Sequence, residues 1–158
     1  MQYAENILGT IGNTPMVKLN KLTAELPCLV LAKYETFNPG NSVKDRMAVK
    51  MVEEAEASGK LKPGGTIIEG TSGNTGMALA MLANAKGYTL TTPLSSEIPL
   101  EKRTMLRFFG AEVMELQDTL CPAPGAPEGA IAKAVEIGER PDFPMLNQYV
   151  NEANPDAH

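Results

Sequence analysis

Apolar positions along the chain fall into short clusters whose spacing switches between the two-residue period of strands and the 3.6-residue period of helices. Two brief extended segments are predicted first, at 15–19 and 29–33, joined by a polar connection. A helix is predicted over 43–57, where Val43, Met47, Met51, Val52 and Ala55 follow helical spacing and Gly59 suits a left-handed cap. After the turn Lys62-Pro63-Gly64-Gly65 comes a short buried strand, 66–69, then a glycine-rich stretch, 70–76. A helix of small residues follows at 77–86, ended by Gly87, and a strand at 88–92 that Pro93 stops. The rest reads as a helix at 101–109 closed by Gly110, a strand at 112–116 and an irregular loop carrying Pro122, Pro124 and Pro127. A helix at 128–139 and a last strand at 145–149 complete the order. Strands alternating with helices predict an α/β domain with a parallel sheet. Met47, Met51, Met77 and Met81 are expected in the core, and Glu53, Glu54 and Glu56 on a solvated helix face. Lys102, Arg103 and Arg107 are expected to be exposed and supported within their own helix by Glu101.

The length, 158 residues, fits one domain, and 43% hydrophobic residues are enough for a real core. The formal charge of −5 argues against a nucleic-acid binder, which normally carries a basic face. No apolar run approaches the roughly 20 residues of a membrane helix. Residues 1–11 include Glu5 and no cationic flank, unlike a secretory signal, so a soluble cytoplasmic protein is expected. Cys28 and Cys121 are far apart and His158 is the single histidine, which leaves no metal-ligand set. Cys28 is expected to be a small buried hydrophobe, Cys121 an exposed thiol in the Pro-rich loop, and His158 has no assignable role.

Two segments carry candidate chemistry. In Asn38-Pro39-Gly40-Asn41-Ser42-Val43-Lys44-Asp45-Arg46, Ser42 is the expected N-cap and Asp45 its capping-box partner. Lys44 then sits at the helix start, where the backbone field is positive and a cation is locally unfavourable. By position alone it is either an exposed cation tolerating that field, the commoner arrangement, or an amine kept neutral and nucleophilic by it. The second segment, Gly70-Thr71-Ser72-Gly73-Asn74-Thr75-Gly76, joins a strand to a helix. Seven small residues with free N–H groups and short side-chain donors at a helix start make an anion site, for a carboxylate or a phosphate. The spacing is neither that of a Walker loop nor G-x-G-x-x-G.

Together these segments resemble the cysteine synthase and cystathionine β-synthase family, pyridoxal 5'-phosphate (PLP) enzymes of the tryptophan-synthase-β-like fold. Ile11-Gly12-Asn13-Thr14-Pro15-Met16-Val17, Phe109-Gly110-Ala111-Glu112 and Asn147-Gln148-Tyr149 are similar to further segments of that family, so the likeness runs along nearly the whole chain. It implies a three-layer parallel-sheet domain ending before the family's second domain. Residues 1–37 would pair with that domain, 38–150 would be the small PLP and substrate domain, and 151–158 would begin the return. It implies Lys44 as the catalytic lysine that bonds the cofactor aldehyde, and Asn74 as the donor to the cofactor's 3′-oxygen. Thr71, Ser72, Gly73, Thr75 and Gln148 would hold the substrate α-carboxylate, with no metal.

The implied activity is β-replacement on a serine-type amino acid: cysteine synthase (O-acetylserine with sulfide), or alternatively cystathionine β-synthase (serine with homocysteine). The implied partners are that small amino acid and a sulfide or thiol, in a homodimeric full-length form. The family's phosphate-holding glycine loop and the side chain facing the pyridine nitrogen do not occur after Gln148, which predicts weak or absent turnover and exposed apolar surface for this chain alone. Two rival readings remain: a non-catalytic anion-binding module, and a mononucleotide-binding domain using the 70–76 loop.

Overall fold

The computed structural model describes residues 1, 3–117 and 129–158. Ile67 and Ile68 lie side by side in a strand and therefore face opposite ways, and each face of the sheet has its own cover. Strands β3 (Thr66–Ile68), β4 (Thr89–Ser95) and β5 (Glu112–Leu116) are parallel, in the order β3-β4-β5. On one face Ile67, Leu90 and Leu94 meet helices α1 (Lys44–Ala57), α2 (Asn74–Lys86) and α3 (Leu100–Phe108). On the other, Ile68 and Met114 meet Ala134 and Ile137 of α4 (Ala130–Gly138), together with Met145. This is the expected three-layer α/β domain. Leu79, Leu82, Leu90, Leu94 and Leu106 are buried, each contributing about 1.5–3 kcal/mol of apolar burial.

α1 buries Met47, Ala48, Met51, Val52 and Ala55 along one stripe, as its spacing predicts. α2 buries residues on several sides, because it is covered by α1, α3 and the sheet; its alanines permit those close approaches. It ends at Gly87, whose φ of 78° is the left-handed cap expected there. A short helix, α5 (Ala153–Asp156), packs on α1 through buried Ala153. Among the described residues no helix is long and apolar enough to cross a membrane.

Several sequence expectations need correction. α2 starts at Asn74, three residues before the predicted start, so the glycine-rich stretch contributes the first turn of the helix. β4 runs through Pro93 to Ser95, with Pro93 paired to Met114 and buried. Thr89 N–H donates to Gly65 O and Thr91 C=O accepts from Glu69 N–H. By alternation the Pro93 nitrogen faces the same side, beyond the end of β3, so the ladder loses nothing to the missing donor. The predicted strand at 145–149 is a single bridge, Ile68 to Met145. Asn147 at φ 53° turns the chain out of extension. Met77 and Met81 are half-buried, at the margin of the core. The predicted Pro-rich loop with Cys121, apart from Gln117, and the start of the helix at Glu128 lie outside the described residues.

Charge assignments also shift. Glu56 is half-buried and accepts from Lys86 Nζ and Tyr88 Oη, both at 2.7 Å, tying α1 to the end of α2. Arg103 and Arg107 reach Glu115 on β5, at 2.6 and 2.5 Å, rather than pairing within their helix.

The N-terminal strands β1 (Met16–Lys18) and β2 (Leu31–Lys33) form a separate antiparallel pair. Met16, Val17, Leu29, Leu31, Tyr34 and Phe37 around it are exposed. Cys28 is exposed, not buried; its neighbour Leu29 is itself 67% accessible, and none of the described residues covers this turn. Polar bonds fasten the segment to the domain. Glu35 accepts from Arg46 Nε (2.8 Å), Thr14 Oγ1 (2.7 Å) and Asn38 Nδ2 (2.8 Å), and Asn38 Oδ1 accepts from Gly12 N–H (2.8 Å). The Arg46 hydrogen bond, opposed by desolvation, holds the Glu35 carboxyl down at about 2 from an ordinary 4.5.

Candidate active site

The segment leading into α1 is shaped from inside. Asn41 adopts φ 56°, a left-handed turn that asparagine tolerates. Ser42 and Val43 are already in a tight turn, with Asp45 N–H to Ser42 O and Arg46 N–H to Val43 O. Val43 therefore occupies the cap position, and Ser42 Oγ accepts from Lys44 N–H at 3.2 Å from one residue further out. The expected capping box does not form. Asp45 turns its carboxylate onto Gly40 N–H at 2.6 Å, and its Oδ1 has no hydrogen-bond partner among the described residues. Burial pushes this carboxyl up, with the Gly40 bond opposing. A Cβ on Gly40 would collide with the Asp45 carboxylate, so the contact requires glycine.

The 70–76 segment is equally constrained. Thr92 Oγ1, on β4, donates to Thr71 O at 2.7 Å and fixes the loop's first bend. At Gly70 a Cβ would come within 2.9 Å of Ala130 O, and at Gly76 within 2.6 Å of Leu106 Cδ2, so both glycines serve close packing. At Gly73 it would meet none of the described residues within 4 Å.

These two segments and the 148–149 turn enclose one cleft of about 420 Å³. Its walls are Ser42, Val43 and Lys44; then Gly70 through Thr75; then Gln148 and Tyr149. Every residue singled out from sequence lines it: Lys44, Thr71, Ser72, Gly73, Asn74, Thr75 and Gln148. Helices α1 and α2 both begin at this cleft, so the positive dipole ends of two helices border it, although the first three N–H groups of α1 are taken within the 42–46 turn. α2 has no acidic residue in its first turn, and the Asp45 carboxylate in that of α1 is engaged with Gly40. Thr75 Oγ1 donates to Gln148 Oε1 at 2.7 Å, joining two walls. The result is a positive, hydroxyl- and amide-lined hollow with one half-buried primary amine at its edge.

Sequence reasoning missed Glu69. This fully buried carboxylate accepts from Asn147 N–H (2.8 Å) and Gln148 N–H (3.1 Å), bringing the 147–148 turn to the end of β3. Burial raises its proton affinity, opposed by those backbone bonds and by Lys60. The available signal was an acid at the end of an apolar strand. Asp45 reads from sequence as a capping residue, whereas in the structure it braces the Gly40 turn.

An α/β domain with a lysine-edged anion cleft at two helix N-termini defines the class: a cofactor-binding enzyme domain. Residues 7–158 match the family described as pyridoxal-phosphate dependent enzyme, and the chain belongs to that family. It is 46% identical over 156 residues to a mouse protein named cystathionine beta-synthase, covering 97% of this chain and 28% of that one. It is 44% identical over 154 residues to a Staphylococcus aureus protein named cysteine synthase, covering 98% of this chain and 48% of that one. A crystal structure titled O-ureido-L-serine synthase superposes with a TM-score of 0.83 at 39% identity, over 99% of this chain and 48% of its own. The chain thus spans less than half the length of these relatives. The cleft's chemistry is compatible with the family's cofactor: it offers a primary amine, which an aldehyde can take, beside hydroxyl and carboxamide groups.

Proposed function

We propose that this chain supplies the lysine-bearing and carboxylate-gripping wall of a PLP-dependent β-replacement site for a serine-type amino acid. The observation that carries the reading is the convergence of Lys44 with the 71–75 loop and Gln148 on one cleft. Lys44 holds the cofactor through its aldehyde, and Asn74 donates to the 3′-oxygen. Thr71, Ser72, Gly73, Thr75 and Gln148 grip the substrate α-carboxylate with hydroxyl, amide and helix-terminal N–H donors. That grip orients the Cα–H bond, and the Lys44 amine, set free once the substrate's amine has taken its place on the cofactor aldehyde, would be the base that takes its proton. Bound PLP supplies an electron sink for the charge left at Cα, which lets the β-substituent depart and a sulfur nucleophile enter.

Cysteine synthase, with O-acetylserine and sulfide, is the favoured activity. The cystathionine reaction, serine with homocysteine, is its rival, since relatives of both names are about equally similar. In this reading residues 1–37 pair with a further domain, 38–150 form the small PLP domain, and 151–158 lead back toward that partner. The exposed Met16, Leu29, Leu31 and Phe37 support such a covering surface. The working form is a cytoplasmic homodimer, and the 158-residue chain alone turns over weakly or not at all.

The test is to incubate the chain with PLP, fix with borohydride and map the adduct by mass spectrometry. Modification concentrated on Lys44 and lost in Lys44→Ala is expected. An adduct spread evenly over the other lysines would refute the reading.

A further inference from the structure

The geometry points to Glu69 as the positioning residue for Gln148, holding the backbone of the 147–148 turn so that the Gln148 side chain meets Thr75 and presents its donor end to the cleft. Glu69 is 0% exposed at the end of β3, and an ionisable group in such a place is costly unless fully partnered. Among the described residues its hydrogen-bond partners come from the 146–148 backbone: Oε2 accepts from Asn147 N–H at 2.8 Å and Oε1 from Gln148 N–H at 3.1 Å. Asn147 has φ 53°, which swings two successive N–H groups into a concave anion-binding nest. The protein's own carboxylate fills that nest. From the other side Thr75 Oγ1 donates to Gln148 Oε1 at 2.7 Å, across 73 positions of sequence. With Oε1 taken, the Nε2 hydrogens are what Gln148 has left to offer a ligand. Gln148 is therefore fixed at both ends, its backbone by Glu69 and its carboxamide by Thr75. Lys60 Nζ, which donates to Met145 O at 2.7 Å, steadies the same stretch.

This inference rests on the carboxylate grip proposed above, and makes Glu69 act on substrate affinity without touching substrate. In Glu69→Gln, one acceptor oxygen faces two N–H groups and an NH2 opposes the other. The experiment combines amide exchange of residues 147–148, L-serine titration of the PLP-loaded chain, and the Lys44 adduct yield. Glu69→Gln is expected to speed exchange at 147–148 and weaken L-serine binding about tenfold, with adduct yield unchanged. In a Gln148→Ala background the same substitution is expected to weaken L-serine no further. Unchanged exchange, additive losses in the double variant, or a parallel fall in adduct yield each overturn the inference. Should Glu69→Gln not fold, Glu69→Asp keeps the charge and withdraws the oxygens by one methylene, with the same pattern expected. Failure of both to fold makes the role structural and overturns the inference. A wild-type chain that loads PLP but ignores L-serine refutes the carboxylate grip instead; exchange at 147–148 then decides Glu69 alone.

Discussion

Replacing Glu35 by glutamine removes the charge that joins the N-terminal segment to α1. The wild-type carboxylate takes two bonds from Arg46, at 2.8 and 3.1 Å, and one each from the side chains of Thr14 and Asn38. A carboxyl held at about 2 in the folded chain against an ordinary 4.5 corresponds to at most about 3 kcal/mol. The pair retains solvent access, its side chains being 22% and 20% exposed. Screening brings the expected figure to about 1–2 kcal/mol. The sign follows from proton binding. The folded carboxyl binds its proton less readily than the unfolded one, so the stabilisation is present above about pH 4.5 and is lost as pH falls toward 2. Urea unfolding of wild type and Glu35→Gln at several pH values measures it. A gap of about 1–2 kcal/mol near neutrality is expected to close on acidification. Asp45, pushed up partly by the Glu35 charge, titrates in the opposite sense and trims the gap slightly. A gap of constant size down to about pH 3 would refute the reasoning, because the stabilisation would then not belong to the ionised carboxylate.

Two glycine substitutions separate steric from conformational cost. Gly70→Ala places a methyl 2.9 Å from Ala130 O and 3.1 Å from Ile131 Cα; backbone cannot swing aside as a side chain can, so a loss of about 1–3 kcal/mol in urea unfolding is expected. Gly87→Ala meets no atom within 4 Å but keeps φ at +78°, and about 1 kcal/mol is expected from the left-handed backbone alone. A larger loss at Gly87 than at Gly70 would contradict this ordering.

The elements legible in the sequence were those whose signals are local. The stripe Met47-Met51-Val52-Ala55 and the caps at Gly59 and Gly87 behave as read, because helical period and left-handed glycines need no distant partner. The cleft was legible because its walls are short contiguous motifs. What failed depends on long-range partners. Glu56 looked solvated until Lys86 and Tyr88 arrived from 30 and 32 residues away. Arg103 and Arg107 could be paired within their helix until β5 offered Glu115. Asp45 matches a capping box by spacing, yet its rotamer follows the Gly40 turn, which no helical pattern encodes. Cys28 sits beside apolar residues that are themselves uncovered, so neighbourhood in sequence did not translate into burial.

Proline at position 93 has an architectural effect. The series in which residue 89 donates to 65 advances two residues at a time, so after residue 91 it would use residue 93 as a donor to the Glu69 carbonyl, and a tertiary amide has no hydrogen to give. β3 has ended by then, and although Glu69 N–H still donates to Thr91 O, the glycine loop that follows is held by the Thr92 side chain instead of by the ladder. A single missing hydrogen marks where scaffold ends and binding surface begins.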